Sequence, residues 1–268
     1  MFHEHRTALK GRVTRYLEAG VGRPLILHHA FPLNADMWRP QLERVPKGWR
    51  FIAPDFRGLG GSTLNGSVAV LMDDYADDTL ELMNSLDIEQ AVIGGLSMGG
   101  YATFAIHRLA PERIAGMLLA DTKAGADTEE GLKNRRGLLS AARAKGASVV
   151  AEQMVGKLLG ETTRRERPEL ALEVRRSIES NPLTGIEAAI YALMHRPDST
   201  PDLLTINCPT LVVVGEEDTV TPVAEAEALQ RTIKSAELVR LTRAGHLANL
   251  EAPEEFSLTI TRWVASLP

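Results

Sequence analysis

The stretch Ala91-Val92-Ile93-Gly94-Gly95-Leu96-Ser97-Met98-Gly99-Gly100-Tyr101 decides how this 268-residue chain is read. An apolar run of strand length leads into it, and a helix-period segment, Tyr101–Leu109, leads out. Between them Gly95-Leu96-Ser97-Met98-Gly99 matches G-x-S-x-G. In a strand–turn–helix setting that string is a nucleophile elbow: the serine sits on a sharp turn with its hydroxyl pointing out of the sheet. Glycines two before and two after the serine remove the Cβ atoms that so tight a bend would crowd. Gly100 supplies a further small residue where the helix passes close to the sheet. Alone the string is weak, because glycine and serine are common; its placement makes it specific.

Working outward, similar apolar runs recur at Pro24–His29, Phe51–Asp55, Ile114–Ala120, Thr210–Val214 and Ala236–Leu241. Near-continuous apolar runs of this length are the habit of parallel strands buried on both faces. Helix-period segments alternate with them at Asp73–Leu86, Val223–Ile233 and Pro253–Leu267. Strand–helix alternation over more than 200 residues predicts an α/β, doubly wound, mostly parallel sheet. One segment, 124–205, breaks the alternation. It carries helical pattern only, at Thr128–Lys145, Ala147–Leu159, Pro168–Ser180 and Gly185–His195, and it ends before the late strand that closes at Gly215. That length is too great for an ordinary connection. We therefore expect a core domain of residues 1–123 and 206–268 with a four-helix cap, 124–205, inserted in it.

Composition narrows the function classes. With 30 basic against 35 acidic side chains the net charge is −5, and the cap segment is neutral, so the basic surplus of a nucleic-acid binder is missing. The single cysteine, Cys208, cannot form an internal disulfide, which favours a reducing compartment. No apolar run is long enough to span a membrane, and the polar first residues do not form a signal peptide. A cytoplasmic protein, monomeric or homodimeric, is expected. Adjacent His28 and His29 do not suggest a metal, because consecutive strand residues point to opposite faces and no H-E-x-x-H accompanies them. Gly58-Leu59-Gly60-Gly61-Ser62 lacks the spacing and lysine of a phosphate loop and reads as a glycine-rich turn.

A serine hydroxyl is a poor nucleophile unless a base takes its proton and a third group orients the base. An acid and then a histidine are therefore sought, in that order, after later strands. His246, in Thr242-Arg243-Ala244-Gly245-His246, is the only histidine just past a late strand. For the acid, Asp218 competes with Glu216 and Glu217 in the same loop, and with Asp121 at the end of Ile114–Ala120. The shorter Asp218, three residues beyond Gly215, is preferred. Two backbone N–H groups are expected to form an oxyanion hole: that of Met98, after the nucleophile, and that of Phe31 in His28-His29-Ala30-Phe31-Pro32. Met154, Leu158, Tyr191 and Met194 on the cap, with His29, Phe31 and Leu247 beneath, are candidate pocket residues.

Taken together, His29-Ala30-Phe31-Pro32, Asp55-Phe56-Arg57-Gly58, the Ser97 elbow, Gly215-Glu216-Glu217-Asp218 and Gly245-His246 resemble the α/β-hydrolase superfamily over nearly the whole chain. The subgroup most similar contains small carboxylesterases, enol-lactonases and cofactor-free haloperoxidases. That resemblance implies an eight-stranded sheet, a four-helix cap, and the roles Ser97 nucleophile, Asp218 acid, His246 base, Phe31 and Met98 oxyanion donors. One position departs from the family: glycine is usual where this chain has Ala30, and a methyl group there disfavours positive φ. The expected activity is hydrolysis of a small carboxylic ester or lactone without metal or organic cofactor. Perhydrolysis and C–C bond hydrolysis share the same triad, and a slowly turning-over ligand sensor shares the fold. Neutral short-chain substrates are expected, unless Arg135 or Arg136 turns inward to meet a carboxylate.

Overall fold

Apolar runs too short to make stable helices lie side by side at the centre of the molecule. In the computed structural model, which describes residues 1–268, they form β3 (Gly22–His28), β4 (Gly48–Pro54), β5 (Ala91–Leu96), β6 (Ile114–Ala120), β7 (Thr210–Gly215) and β8 (Ala236–Leu241). Two further strands, β1 (His3–Leu9) and β2 (Arg12–Gly20), complete one eight-stranded sheet in the order β1-β2-β4-β3-β5-β6-β7-β8. From β4 to β8 every pairing is parallel, while β1–β2 and β2–β4 are antiparallel. Every residue of β5 and of β7 is buried, as expected where helices cover both faces.

The β1–β2 hairpin carries no apolar run that would announce β1. Its first strand, HEHRTAL, is almost wholly exposed at the sheet edge. What defines it is the two-residue turn Lys10-Gly11, with φ of 43° and 78°, the backbone of a tight primed hairpin turn. Charged residues on an exposed edge also discourage pairing with other chains.

Outside the sheet, α1 (Arg39–Leu42), α2 (Met72–Ser85) and α3 (Met98–Leu109) precede the insert, and α9 (Val223–Thr232), α10 (Ala248–Glu251) and α11 (Pro253–Ser266) follow it. Between β6 and β7 the chain is helical throughout: α4 (Glu129–Lys145), α5 (Ala147–Leu158), α6 (Glu161–Glu166), α7 (Pro168–Glu179) and α8 (Leu183–Met194), then a 3₁₀ turn at Thr200–Thr205. Four of these helices were expected. The short α6 is additional, bracketed by Gly160 and Pro168 in a polar sequence without apolar period. The insert meets the core at loops beyond the C-terminal ends of the strands. Asn181 Nδ2 donates to Pro32 O (2.8 Å), and Gly60 N donates to Asn181 Oδ1 (2.7 Å). Gly185 and Gly58 touch backbone to backbone, with no room for a side chain on either. Ser199 N donates to Ala124 O (3.0 Å), tying the two ends of the insert together. No helix is long and apolar enough to cross a membrane.

Candidate active site

Ser97 stands between β5 and α3 with φ 56° and ψ −109°, a conformation that L-residues rarely adopt. Such strain costs on the order of 1–3 kcal/mol and persists only where the surroundings impose it. Here they do. Ser97 N donates to Ala120 O (2.9 Å), and Ser97 O accepts from Gly100 N (2.9 Å) and the Thr122 hydroxyl (2.9 Å). A methyl group on Gly99 would lie 2.3 Å from His28 O, and one on Gly95 2.7 Å from Gly99 Cα. On Gly100 it would lie 2.4 Å from Thr122 Oγ1. All three glycines thus answer to close approaches around the serine. Met98 begins α3, where the N–H has no intrahelical acceptor and the helix dipole favours negative charge.

The structure brings His246 and Asp218 together from the loops after β8 and β7. His246 Nδ1 lies 2.8 Å from Asp218 Oδ2, with His246 1% and Asp218 5% exposed. Asp218 also accepts from Val220 N (2.7 Å), Thr221 N (3.0 Å) and the Thr221 hydroxyl (2.7 Å). Burial pushes this carboxyl up, but the His246 charge and the hydrogen bonds from His246 and Thr221 outweigh it and hold it below the ordinary carboxylate range. An ionised Asp218 fixes the imidazole as the Nδ1–H tautomer and leaves Nε2 as acceptor. Ser97 makes no hydrogen bond to His246, a contact that commonly tightens only when substrate is bound. Thr221 was not anticipated; the Asp-x-x-Thr spacing of a side-chain-closed turn was its only signal.

The other acids are placed differently. Asp121 is buried, its Oδ1 accepts from Gly215 N (2.8 Å), and its Oδ2 has no partner. Burial, then the neighbouring Asp218 charge, raises its pKa well above the carboxylate range. Glu217 accepts from Thr162 N (2.8 Å) and the Thr162 hydroxyl (2.5 Å), and Glu216 is exposed.

On the opposite side, the N–H of Phe31 has no backbone acceptor, and Phe31 is 4% exposed beside a cis Phe31–Pro32 peptide. Ala30 does not have a positive φ, so its methyl group is accommodated. Its N–H meets Met37 Sδ (3.2 Å), and its carbonyl accepts from Leu33 N (2.9 Å) and His29 Nδ1 (3.0 Å). His29 Nε2 accepts from Phe56 N (3.0 Å). His28 contacts Gly94 O (3.1 Å) and Thr79 Oγ1 (2.8 Å). The strand alternation invoked for these histidines reaches only His28, where β3 ends. Both rings pack on Phe56, at 5.3 and 4.7 Å between centroids.

Of the candidate pocket residues, Leu158 and Leu247 are buried neighbours, with Leu247 N donating to Leu158 O (3.2 Å). Met154, Met194 and Tyr191 are half-buried, Tyr191 stacking on His195 with 3.9 Å between ring centroids. A cleft of about 380 Å³ is lined by Leu33, Met37, Leu170, Val174 and Leu250 among others, and none of the candidate pocket residues lines it. Arg135 does not point free into a cavity; it is paired with Asp127, and Arg136 is exposed. Asp127 also holds the buried Arg196 (2.8 Å), whose guanidinium lies 4.3 Å from the Tyr101 ring centre.

These features define a protein class. Residues 23–253 match the family model for the alpha/beta hydrolase fold, and the chain belongs to that family. It is 25% identical to 3-oxoadipate enol-lactonase 1 of Acinetobacter baylyi over 98% of both chains. It is 30% identical to a non-heme haloperoxidase of Rhodococcus erythropolis, covering 87% of this chain and 88% of that protein. A thermophilic esterase from Thermogutta terrifontis, solved with malate bound, superposes with a TM-score of 0.93 at 37% identity over 99% of both chains. Hydrolase activity is what this family membership and these relatives support.

Proposed function

We propose that the protein is a serine hydrolase that cleaves a small carboxylic ester or lactone. The observation that carries this reading is the pairing of His246 with Asp218 at 2.8 Å, in a chain whose strand–helix elbow holds Ser97 at φ 56°. Ser97 Oγ attacks the carbonyl carbon while His246 Nε2 takes its proton, and Asp218 stabilises the imidazolium. The N–H groups of Met98 and Phe31 receive the oxyanion. His246 then returns the proton to the leaving alkoxide, and water releases the acid from the acyl-enzyme. Residues 124–205 act as a cap, with Met154, Leu158, Tyr191 and Met194 above Phe31 and Leu247 as the acyl pocket.

Neutral substrates are favoured, since Arg135 is committed to Asp127 and Arg136 lies in solvent. The enol-lactonase and malate-bound relatives make an anionic substrate the alternative to test. The haloperoxidase relative favours perhydrolysis as a second reading, in which peroxide replaces water at the acyl-enzyme. A serine-directed phosphonate should label Ser97 alone, and Ser97→Ala should lose both label and esterase activity. Near-normal activity in that variant refutes the assignment. Matched neutral and carboxylate-bearing esters decide the substrate charge: a tenfold or greater preference for the anion, about 1.4 kcal/mol, overturns the neutral choice.

A further inference from the structure

Residues 158–167 of the insert lie against both loops that carry Asp218 and His246. Thr162 binds the carboxylate of Glu217, one residue before Asp218. Leu247 N, one residue after His246, donates to Leu158 O. Gly160 passes so close to Gly245 that a methyl group on Gly245 would lie 2.2 Å from Gly160 N. Arg167 Nη1 donates to Leu250 O (3.2 Å) and Glu251 O (3.0 Å). In the middle of this seam is the side chain of Glu251, a residue only 8% exposed. Its Oε1 accepts from the same Leu247 N (3.1 Å), which it shares with Leu158 O, and its Oε2 accepts from Gly160 N (2.8 Å). The first bond is local to α10; the second crosses 91 residues of sequence to the insert.

A buried carboxylate is costly unless its oxygens are satisfied, and an apolar side chain often fills such a place at less cost. What Glu251 does that an apolar residue cannot is hold two backbone N–H groups, one beside His246 and one in the insert. We propose that Glu251 is a positioning residue: it clamps the backbone next to the proposed base to the insert, so that the placement of His246 Nε2 depends on how the insert is seated. The inference rests on the assignment of His246 as base. It does not involve contact with substrate. Its force comes from geometry, because a displacement of about 1 Å at a reacting group can cost on the order of 10²-fold in rate.

Glu251→Gln keeps the shape and one acceptor oxygen but places an NH₂ group against one of the two N–H donors. At a temperature well below its melting point, kcat on a neutral ester should fall at least about tenfold, with KM within about threefold. The rate of phosphonate labelling at Ser97 should fall by the same factor. Thr162→Val weakens the same seam away from Leu247 and should leave kcat within about twofold. A folded Glu251→Gln protein with kcat within twofold of the parent overturns the proposal, as does an equal loss in Thr162→Val, which would mean general loosening of the seam. If Glu251→Gln does not fold, Glu251→Asp is read by the same criteria, since its shorter carboxylate cannot span both donors. His246→Ala separates the two levels: if it stays active, the assignment of the base has failed, whatever Glu251 does.

Discussion

Two loops at the same edge of the sheet carry histidines, and they treat them in opposite ways. At the end of β3, His28 and His29 are fully buried and both nitrogens of each ring are engaged by protein groups. Burial drives the His28 pKa down to about 3, so its ring is neutral across the physiological range. After β8, His246 is equally buried, yet only Nδ1 is held, by Asp218 (2.8 Å) and the Thr221 hydroxyl (3.3 Å). A ring with both nitrogens occupied fixes the backbone around it. A ring with one nitrogen held and the other unengaged leaves that nitrogen for the base role proposed above, and burial alone does not tell the two apart.

The sharpest way to break this comparison is to remove each kind of histidine. His246→Ala should lower kcat by on the order of 10⁴-fold or more with little change in melting temperature, as should Ser97→Ala. Ester hydrolysis beside thermal melts checks this, and a large loss of stability in either variant would erase the distinction drawn between the loops. Asp218→Asn comes next, at about 10³- to 10⁴-fold in kcat, because the imidazole loses both its tautomer and its counter-charge. Glu216→Gln and Glu217→Gln should stay within about threefold of the parent, since neither touches His246.

His28→Asn should do the reverse. It strands Thr79 or Gly94 O and opens a cavity beside Phe56, which costs roughly 1–3 kcal/mol for the unpaired group, while kcat of the folded protein stays within about threefold. Denaturant melts measure it. Its pH signature has a definite sign: with a folded pKa near 3 and an ordinary value of 6.5, the unfolded chain binds the proton first. Stability therefore falls as pH drops from about 6.5 toward 3.

The smallest expected effect sharpens the acid side. Asp121, with its raised pKa, is bypassed by the His246–Asp218 pair, so Asp121→Asn should change kcat by less than about threefold. Because the unfolded chain loses this proton first, the parent loses stability as pH climbs above about 4, opposite in sign to His28. The asparagine variant should lack that slope in melts taken from about pH 4 to 7. A crippling loss of activity instead would move the acid to the end of β6.

What could be read without coordinates was whatever depends on local chemistry and period. The apolar runs mark β5 and β7 because a strand buried on both faces must be apolar throughout; β8, read the same way, is an edge strand with Glu237 and Arg240 exposed, and the long helices of the insert follow from their 3.6-residue spacing. The elbow is readable because only small residues fit around Ser97, and the acid and histidine follow strands in a fixed order. β1 carries no apolar pattern because it is exposed, β2 because its buried positions include Thr14 and Arg15, and α6 because it is short and polar. Tertiary structure alone placed Asp218 at His246 Nδ1 and buried Asp121 with one unpartnered oxygen. It alone tied Arg135 to Asp127, locked His28 and His29, and set Glu251 between Leu247 and Gly160. The Asp218–His246, His28–Thr79 and Glu251–Gly160 contacts join groups 28, 51 and 91 residues apart, and no local pattern records which partner arrives.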